Sequence, residues 1–151
     1  MAVEYEYFFF SEDAHSIREK SYRNMKPLSP GMFGYSIVRA SSAAELVHDI
    51  IDNMRDFGIV LEGIHAETGP GVYEAAITHD EALVAADHAV LFKTAMKEIA
   101  ARHGLTVTFM ARWSPDLPGC SGHIHQSLWD LDSSANRFYD PDQESRMSST
   151  M

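Results

Sequence analysis

Residues 4–10, Glu-Tyr-Glu-Tyr-Phe-Phe-Phe, constrain the fold more than any other stretch of this 151-residue chain. Aromatic side chains favour a pleated, half-buried surface, so the stretch reads as a strand. Its end, Phe8-Phe9-Phe10, is apolar on both faces, as in a strand covered on both sides at the middle of a sheet. A central strand needs neighbours on both sides, yet nothing precedes this one. Its beginning carries charge instead. Side chains two apart on a strand share a face, so Glu4 and Glu6 project together from a strand that otherwise belongs in a core.

The same arrangement recurs. His123 and His125 share a face of a late strand, and His65 and Glu67 share one on a middle strand. Glu74 follows Glu67 across the turn Thr68-Gly69-Pro70-Gly71, so the two face each other over a hairpin. Each pair alone is most simply a solvated strand face. Together, on apolar strands, they point to ionisable groups converging at a sheet. A buried carboxylate without a partner is costly, and a divalent cation held by Glu oxygen and His nitrogen removes that cost. Oxygen-rich donor sets favour Mg²⁺ or Mn²⁺, and an admixed imidazole leans toward Mn²⁺ or Zn²⁺.

Composition narrows the partners. With 22 acidic and 12 basic residues the formal net charge is −10, and there are 8 His. Such a chain repels phosphate backbones and anionic lipid, so neither nucleic acid nor a membrane surface is an expected partner. No apolar run approaches the ~20 residues that span a bilayer, and Met1–Glu6 lacks the basic and apolar regions of a secretory signal. Cys120, the one cysteine, forms no internal disulfide, which fits a reducing, cytoplasmic setting. It reads as a small loop residue and not a nucleophile. Gly69-Pro70-Gly71 is too short for a phosphate-cradling loop and lacks its Lys.

The element pattern is strand, helix, hairpin, helix, strand, loop, strand, an α+β order with antiparallel pairing at the hairpin. Residues 11–33 read as loop and 34–38 as a short strand. Ser41 or Ser42 caps a helix over 43–57, where Leu46, Val47, Ile50, Ile51 and Met54 recur at helical spacing. Strands follow at 59–67 and 72–77. Thr78-His79-Asp80-Glu81 has the capping-box form and opens a helix over 80–103 with an apolar stripe of Leu83, Ala86, Val90, Leu91, Ala95 and Ile99. Strands at 105–110 and 122–129 close the pattern, and the Ser-rich 130–151 reads as a flexible tail.

In that order the chemistry-bearing segments resemble the catalytic core of the glutamine synthetase superfamily. The matching stretches are Glu4 to Phe10, His65-Ala66-Glu67-Thr68-Gly69-Pro70-Gly71-Val72-Tyr73-Glu74, Ala85-Ala86-Asp87-His88-Ala89-Val90-Leu91-Phe92-Lys93, Thr108-Phe109-Met110-Ala111, and Gly122-His123-Ile124-His125-Gln126-Ser127-Leu128. The resemblance implies a partial glutamine synthetase-like catalytic domain, a largely antiparallel sheet with flanking helices. It implies an ATP-dependent ligase that phosphorylates the γ-carboxylate of glutamate and lets ammonia or an amine attack the acyl phosphate, with two Mg²⁺ or Mn²⁺ ions per site. On the same resemblance Glu6, Glu67 and Glu74 hold one ion, and Glu4 and His123 hold part of the other. Gly119 meets substrate glutamate, and Glu62, His125, Ser127 and Trp129 lie on the nucleotide side.

Some positions depart from the family pattern. Val72 stands where Gln is frequent, Arg112-Trp113 where Lys-Pro is common, and Pro118-Gly119-Cys120-Ser121-Gly122 where Asn-Gly-Ser-Gly-Met is usual. The last loop borders the glutamate and amine side, which places the sequence nearer the branch that joins glutamate to amines. The family's N-terminal small domain and C-terminal part have no counterpart in residues 1–151, so an inactive excerpt with open sheet edges is expected, from a parent that forms homo-oligomeric rings. The competing readings are a non-catalytic relative with a structural or interaction role, and a simple metal-binding domain.

Overall fold

The computed structural model describes residues 1–151, and its centre is strand β1 (Ala2–Phe10). Helices α1 (Ala14–Glu19), α2 (Ile37–Ser42) and α3 (Ala44–Asp56) follow it, then strand β2 (Leu61–Ala66), the first strand of the hairpin. After them come β3 (Val72–Ile77), α4 (Ala82–Arg102), β4 (Thr106–Thr108) and β5 (Gly122–His125). All strand pairings are antiparallel, in the order β2-β3-β1-β4, with β5 also on β1. β3 pairs with residues 3–8 of β1, while β4 takes Phe8–Phe10 and β5 takes Ala2–Tyr5. The aromatic strand therefore finds its neighbours within the chain.

Alternation gives β1 two different faces. Tyr7 and Phe9, with Tyr5 beside them, enter the main core against Leu46, Ile50 and Met54 of α3 and Phe92, Met96 and Ile99 of α4. Tyr5 stacks on Phe92 at 6.0 Å between centroids, and Tyr7 meets Phe9 edge-on at 5.3 Å. On the opposite face Phe8, Phe10 and Val72 form a second cluster beneath Met25, Trp113 and Cys120. The Trp113 ring lies edge-on to Phe10 at 4.9 Å, a favourable quadrupole geometry. Helices thus cover one side of the Phe8–Phe10 run and two loops cover the other, and the Glu4–Glu6 end of that second face carries no such lid.

Several local expectations change. The 34–38 stretch is no strand: Ser36 accepts the backbone N–H of Arg39 and caps α2 from Ile37 onward. The presumed loop 11–33 contains α1, capped by Asp13 and Ser16 in a reciprocal box. Neither Ser41 nor Ser42 caps α3, whose N-cap is Ala43, and the Thr78–Glu81 box does not form, since α4 starts from Glu81 without a side-chain cap. The buried face of α4 is Ala85, Ala89, Phe92, Met96, Ile99 and Ala100, while Leu83 and Val90 of the expected stripe are 74% and 67% exposed. Apolar residues outside one stripe, Leu83, Val84, Val90 and Leu91, leave α4 with more than one apolar phase, and the one that seats Phe92 and Met96 against the aromatic sheet wins. The last strand ends at His125, and 130–151 forms turns with bridges Trp129–Asn136 and Tyr139–Met147. No helix is long and apolar enough to cross a membrane.

Phe92 is fully buried against Tyr5, Tyr7 and Phe109. Phe92→Ala is predicted to lower stability by about 3–5 kcal/mol, the range for a large-to-small change with a residual cavity. Urea unfolding checks this as a fall in midpoint at unchanged slope.

Candidate functional site

Register builds the site. Glu74 of β3 lies directly opposite Glu6 of β1 on one side and His65 of β2 on the other. Glu4, one row away, lies opposite His123 of β5. The four side chains from β1, β3 and β5 and the imidazole from β2 therefore share the sheet face opposite the helices. The hairpin needs its glycines to bring Glu67 alongside. Gly71 adopts φ +70° and packs against the Phe9 carbonyl, where a Cβ has no room, and its own carbonyl accepts the Phe9 N–H at 2.8 Å.

The contacts are short and almost wholly between carboxylates and imidazoles. His65 Nε2 is 3.4 Å from Glu67 and 3.2 Å from Glu74. His123 Nδ1 is 3.2 Å from Glu4 and 3.4 Å from Glu74, and its Nε2 is 4.0 Å from Glu6. His125 Nε2 is 3.0 Å from Glu4. No Lys or Arg makes an ion pair with Glu4, Glu6, Glu67 or Glu74. Like charges 4–5 Å apart near a protein surface repel by roughly 3–4 kcal/mol, so this face is under electrostatic load. Glu74, only 9% exposed, bears most of it. Burial raises its pKa, and the charges of Glu4, Glu6 and Glu67 add to the rise against the opposing pull of His65. The bond from His125 leads in lowering Glu4. For Glu67, burial works upward but is outweighed by the Tyr35 hydroxyl, the Thr68 N–H and His65. For His123, burial works downward, and the bond to Glu4 with the charges of Glu74, Glu6 and Glu4 outweighs it, raising the pKa.

Two sets of donor atoms each converge within 4.8 Å: Glu4, Glu74 and His123, and His65, Glu67 and Glu74. Glu74 bridges them. A divalent ion suits this donor chemistry, and His65 Nε2 is covered from solvent yet makes no aligned hydrogen bond, an orphaned donor-set atom that an ion would satisfy. Glu6 stands apart from both sets. Ser121 donates to it from N at 3.0 Å and from Oγ at 2.8 Å.

The remaining sequence candidates are spread around this face. Gly119 packs against the Ala111 carbonyl, whose oxygen also accepts the Cys120 N–H at 2.8 Å. A side chain there would collide, so Gly119 shapes the loop that delivers Ser121. Ser127 and Trp129 line an open cleft of about 950 Å³ with His79, Asp80 and Leu131, and the Trp129 indole donates to Ser127 at 3.0 Å. His125 pairs with Glu4 at 3.0 Å, while Glu62 lies exposed at a bulge in β2 beside His79 at 3.8 Å. Two residues had no sequence signal. Tyr35, at φ +56°, stacks on His65 at 5.0 Å, with its hydroxyl near enough to Glu67 to influence its ionisation. Arg39 is buried and donates to Ser29 Oγ at 2.7 Å, to Gly69 O at 2.8 Å, and to the carbonyl of Phe33, pinning the Glu67–Gly71 turn. An aromatic on a loop and an Arg next to a serine pair carry no periodicity that sets them apart.

Comparison with known proteins gives one family. The family model described as Glutamine synthetase, catalytic domain, matches residues 1–151. The Type-1 glutamine synthetase 2 of Dictyostelium discoideum is 47% identical over 146 residues, covering 97% of this chain and 28% of that protein. The glutamate–isopropylamine ligase of a Pseudomonas species is 43% identical over 130 residues, covering 86% of this chain and 28% of that one. The solved structure of apo GmaS without ligand superimposes with a TM-score of 0.76 at 28% identity, over 97% of this chain and 33% of that one. The chain thus spans little more than a quarter of the length of these curated relatives.

The raised groups set the pH response of the ion-free chain. A folded-state pKa above the ordinary value means stability that is full below that value and lost as pH climbs through the raised one. For Glu74 the loss begins above 4.5, and for His123 above 6.5. Thermal melts in chelator are predicted to fall from pH 6.5 to 8.5, and His123→Gln is predicted to flatten that fall. A melting temperature that rises over this range contradicts the assignment.

Proposed function

Because the chain belongs to the glutamine synthetase family, we propose that residues 1–151 carry the ion-binding and nucleotide-facing part of an ATP-dependent glutamate–amine ligase site. The reaction we propose for a protein of the relatives' length transfers the ATP γ-phosphoryl group to the γ-carboxylate of glutamate. Ammonia or an amine then displaces phosphate to form the amide. The observation that carries this reading is the convergence of Glu4, Glu67, Glu74 and His123, with Glu6 beside them, on one face without a Lys or Arg partner.

In this proposal Glu6, Glu67 and Glu74 serve one Mg²⁺ or Mn²⁺, and Glu4 and His123 serve a second. When bound, such ions neutralise phosphate oxygens, which is most of what phosphoryl transfer asks of a site beyond positioning. The chain's residues do the rest. The acidic face rejects free nucleotide and accepts it only with its counter-ions, so an anionic substrate meets an acidic protein without net repulsion. The Ser127–Trp129 cleft has room for a nucleoside, with Trp129 as a stacking surface, and His125 and Glu62 lie toward that side. The Gly119–Ser121 loop, tied to Glu6, borders the glutamate side. Tyr35 and His65 wall the Glu67 side with stacked rings.

An amine in place of ammonia is the favoured acceptor. The similarity to a glutamate–isopropylamine ligase supports it, as does the altered Pro118–Gly122 loop. We further propose that the complete protein works as a homo-oligomer.

Calorimetric titration of the chain with Mn²⁺, with and without ATP, tests the proposal. Mn²⁺ binding that strengthens ATP binding is predicted, and Glu67→Ala is predicted to weaken the ion by about tenfold or more, the loss of one of few charged ligands. Mn²⁺ binding indifferent to Glu67→Ala contradicts it.

A further inference from the structure

We infer that the Asp49–His103 contact is a pH-sensitive clasp that fastens the end of α4 to α3, tight while the imidazole carries a proton and loosened when it loses it. None of its members bonds a residue of the acidic face, so the inference stands apart from the ion-binding reading.

Four residues build the clasp, two from α3 and two from the end of α4. His103 Nε2 lies 2.9 Å from Asp49 Oδ2. Arg102 Nη2 reaches the same oxygen at 3.4 Å and donates to Asn53 Oδ1 at 3.0 Å. Asn53 donates in turn to Asp49 Oδ1 at 2.7 Å, so both carboxylate oxygens are engaged. The bond from His103 leads in holding the Asp49 carboxyl below its usual range, with Arg102 and Asn53 adding to it and burial opposing.

Its place in the chain gives the clasp leverage. His103 is the C-cap of α4, where free helix carbonyls favour a cation. Gly104, at φ +66°, turns the chain, the Leu105 N–H closes on the Ala100 carbonyl at 2.9 Å, and β4 begins at the next residue. The charges facing His103 are Asp49 and Glu45 from α3 and Arg102 from its own helix. Glu45 and His103 line one cleft of about 210 Å³, whose other residues, among them Leu28, Ser42 and Leu105, bring no charge. Asp52 is taken up by Arg55.

An imidazole changes charge between about pH 5 and 8, and a charge-assisted hydrogen bond is roughly twice as strong as a neutral one. Asp49 limits the other side. Its carboxyl lies below 3.8 in the folded chain, so its share of stability is present above that value and lost as pH falls through the depressed one. The clasp is therefore full near pH 5 and weaker near pH 8, where Arg102 keeps it from opening outright.

The test is a double-mutant cycle on the 151-residue chain, with wild type, Asp49→Asn, His103→Gln and the double variant unfolded in urea at pH 5.5 and pH 8.0. The cycle cancels contributions from the distant acidic face. The expected coupling between the two residues is about three- to tenfold in the folding equilibrium at pH 5.5 and less than about twofold at pH 8.0. Amide hydrogen exchange, corrected for intrinsic rates, gives a second readout that needs only His103→Gln. Protection of the His103 and Leu105 amides is expected to fall from pH 5.5 to 8.0 relative to the Tyr73 amide, and His103→Gln is expected to remove that fall. Equal coupling at the two pH values, or a fall in protection that persists in His103→Gln, overturns the pH sensitivity. Coupling indistinguishable from zero at pH 5.5 overturns the clasp itself.

Discussion

Four carboxylates on one face of a sheet, without a permanently cationic side chain among them, set the terms for everything else in this molecule. Glu74 is the critical member because it is buried and lies between the two donor sets. An isolated buried carboxylate is a liability for any fold. Here the liability is shared with the imidazoles of His65 and His123, which relieve it only in part. The design makes sense when a doubly charged ion completes the cluster, since one ion satisfies several oxygens at once.

The rest of the structure keeps those side chains in place. β1 carries the argument in its alternation: Tyr5, Tyr7 and Phe9 lock into the helical core, and the same pleat aims Glu4 and Glu6 the other way. A slip of one residue would bury the glutamates and expose the aromatics, so the core defines the register of the site. Phe8 and Phe10, farther along the acidic face, are sealed by Trp113, Met25 and Cys120. That apolar plug bounds the cluster at one end, and the Ser127–Trp129 cleft opens at the other. Arg39 adds a further restraint. With its guanidinium spent on backbone carbonyls and Ser29, it holds the turn that positions Glu67 without competing for the carboxylate.

Much of this is legible in the residues, because the period of two in a strand is a strong code. Glu4 with Glu6, His65 with Glu67, and the Gly-Pro-Gly turn before Glu74 all predict shared faces, and the antiparallel α+β sheet follows from the hairpin. The code fails where two physical effects compete. Ile37-Val38 look like strand, but Ser36 supplies a cap and α2 forms. α4 carries apolar residues on more than one face, so spacing alone cannot choose its buried one. The bulge at Glu62 re-phases β2, so Leu61 meets Ile77 in the core while His65 meets Glu74 on the acidic face. Tyr35 depends on a left-handed backbone conformation and Arg39 on tertiary burial, and neither is written in local pattern. The parting of Glu6 from the other donors depends on Ser121, a contact across 115 residues that only the folded chain reveals.

The central claim is that Glu74 lies at the junction of sites for divalent ions. Crystals of the chain grown with Mn²⁺, with diffraction data collected at the manganese absorption edge, test it most directly. The account predicts an anomalous peak on the acidic face within about 2.5 Å of a Glu74 carboxylate oxygen. Manganese found only elsewhere on the molecule, with the Glu74 carboxyl bonded solely to neighbouring protein groups, would contradict it.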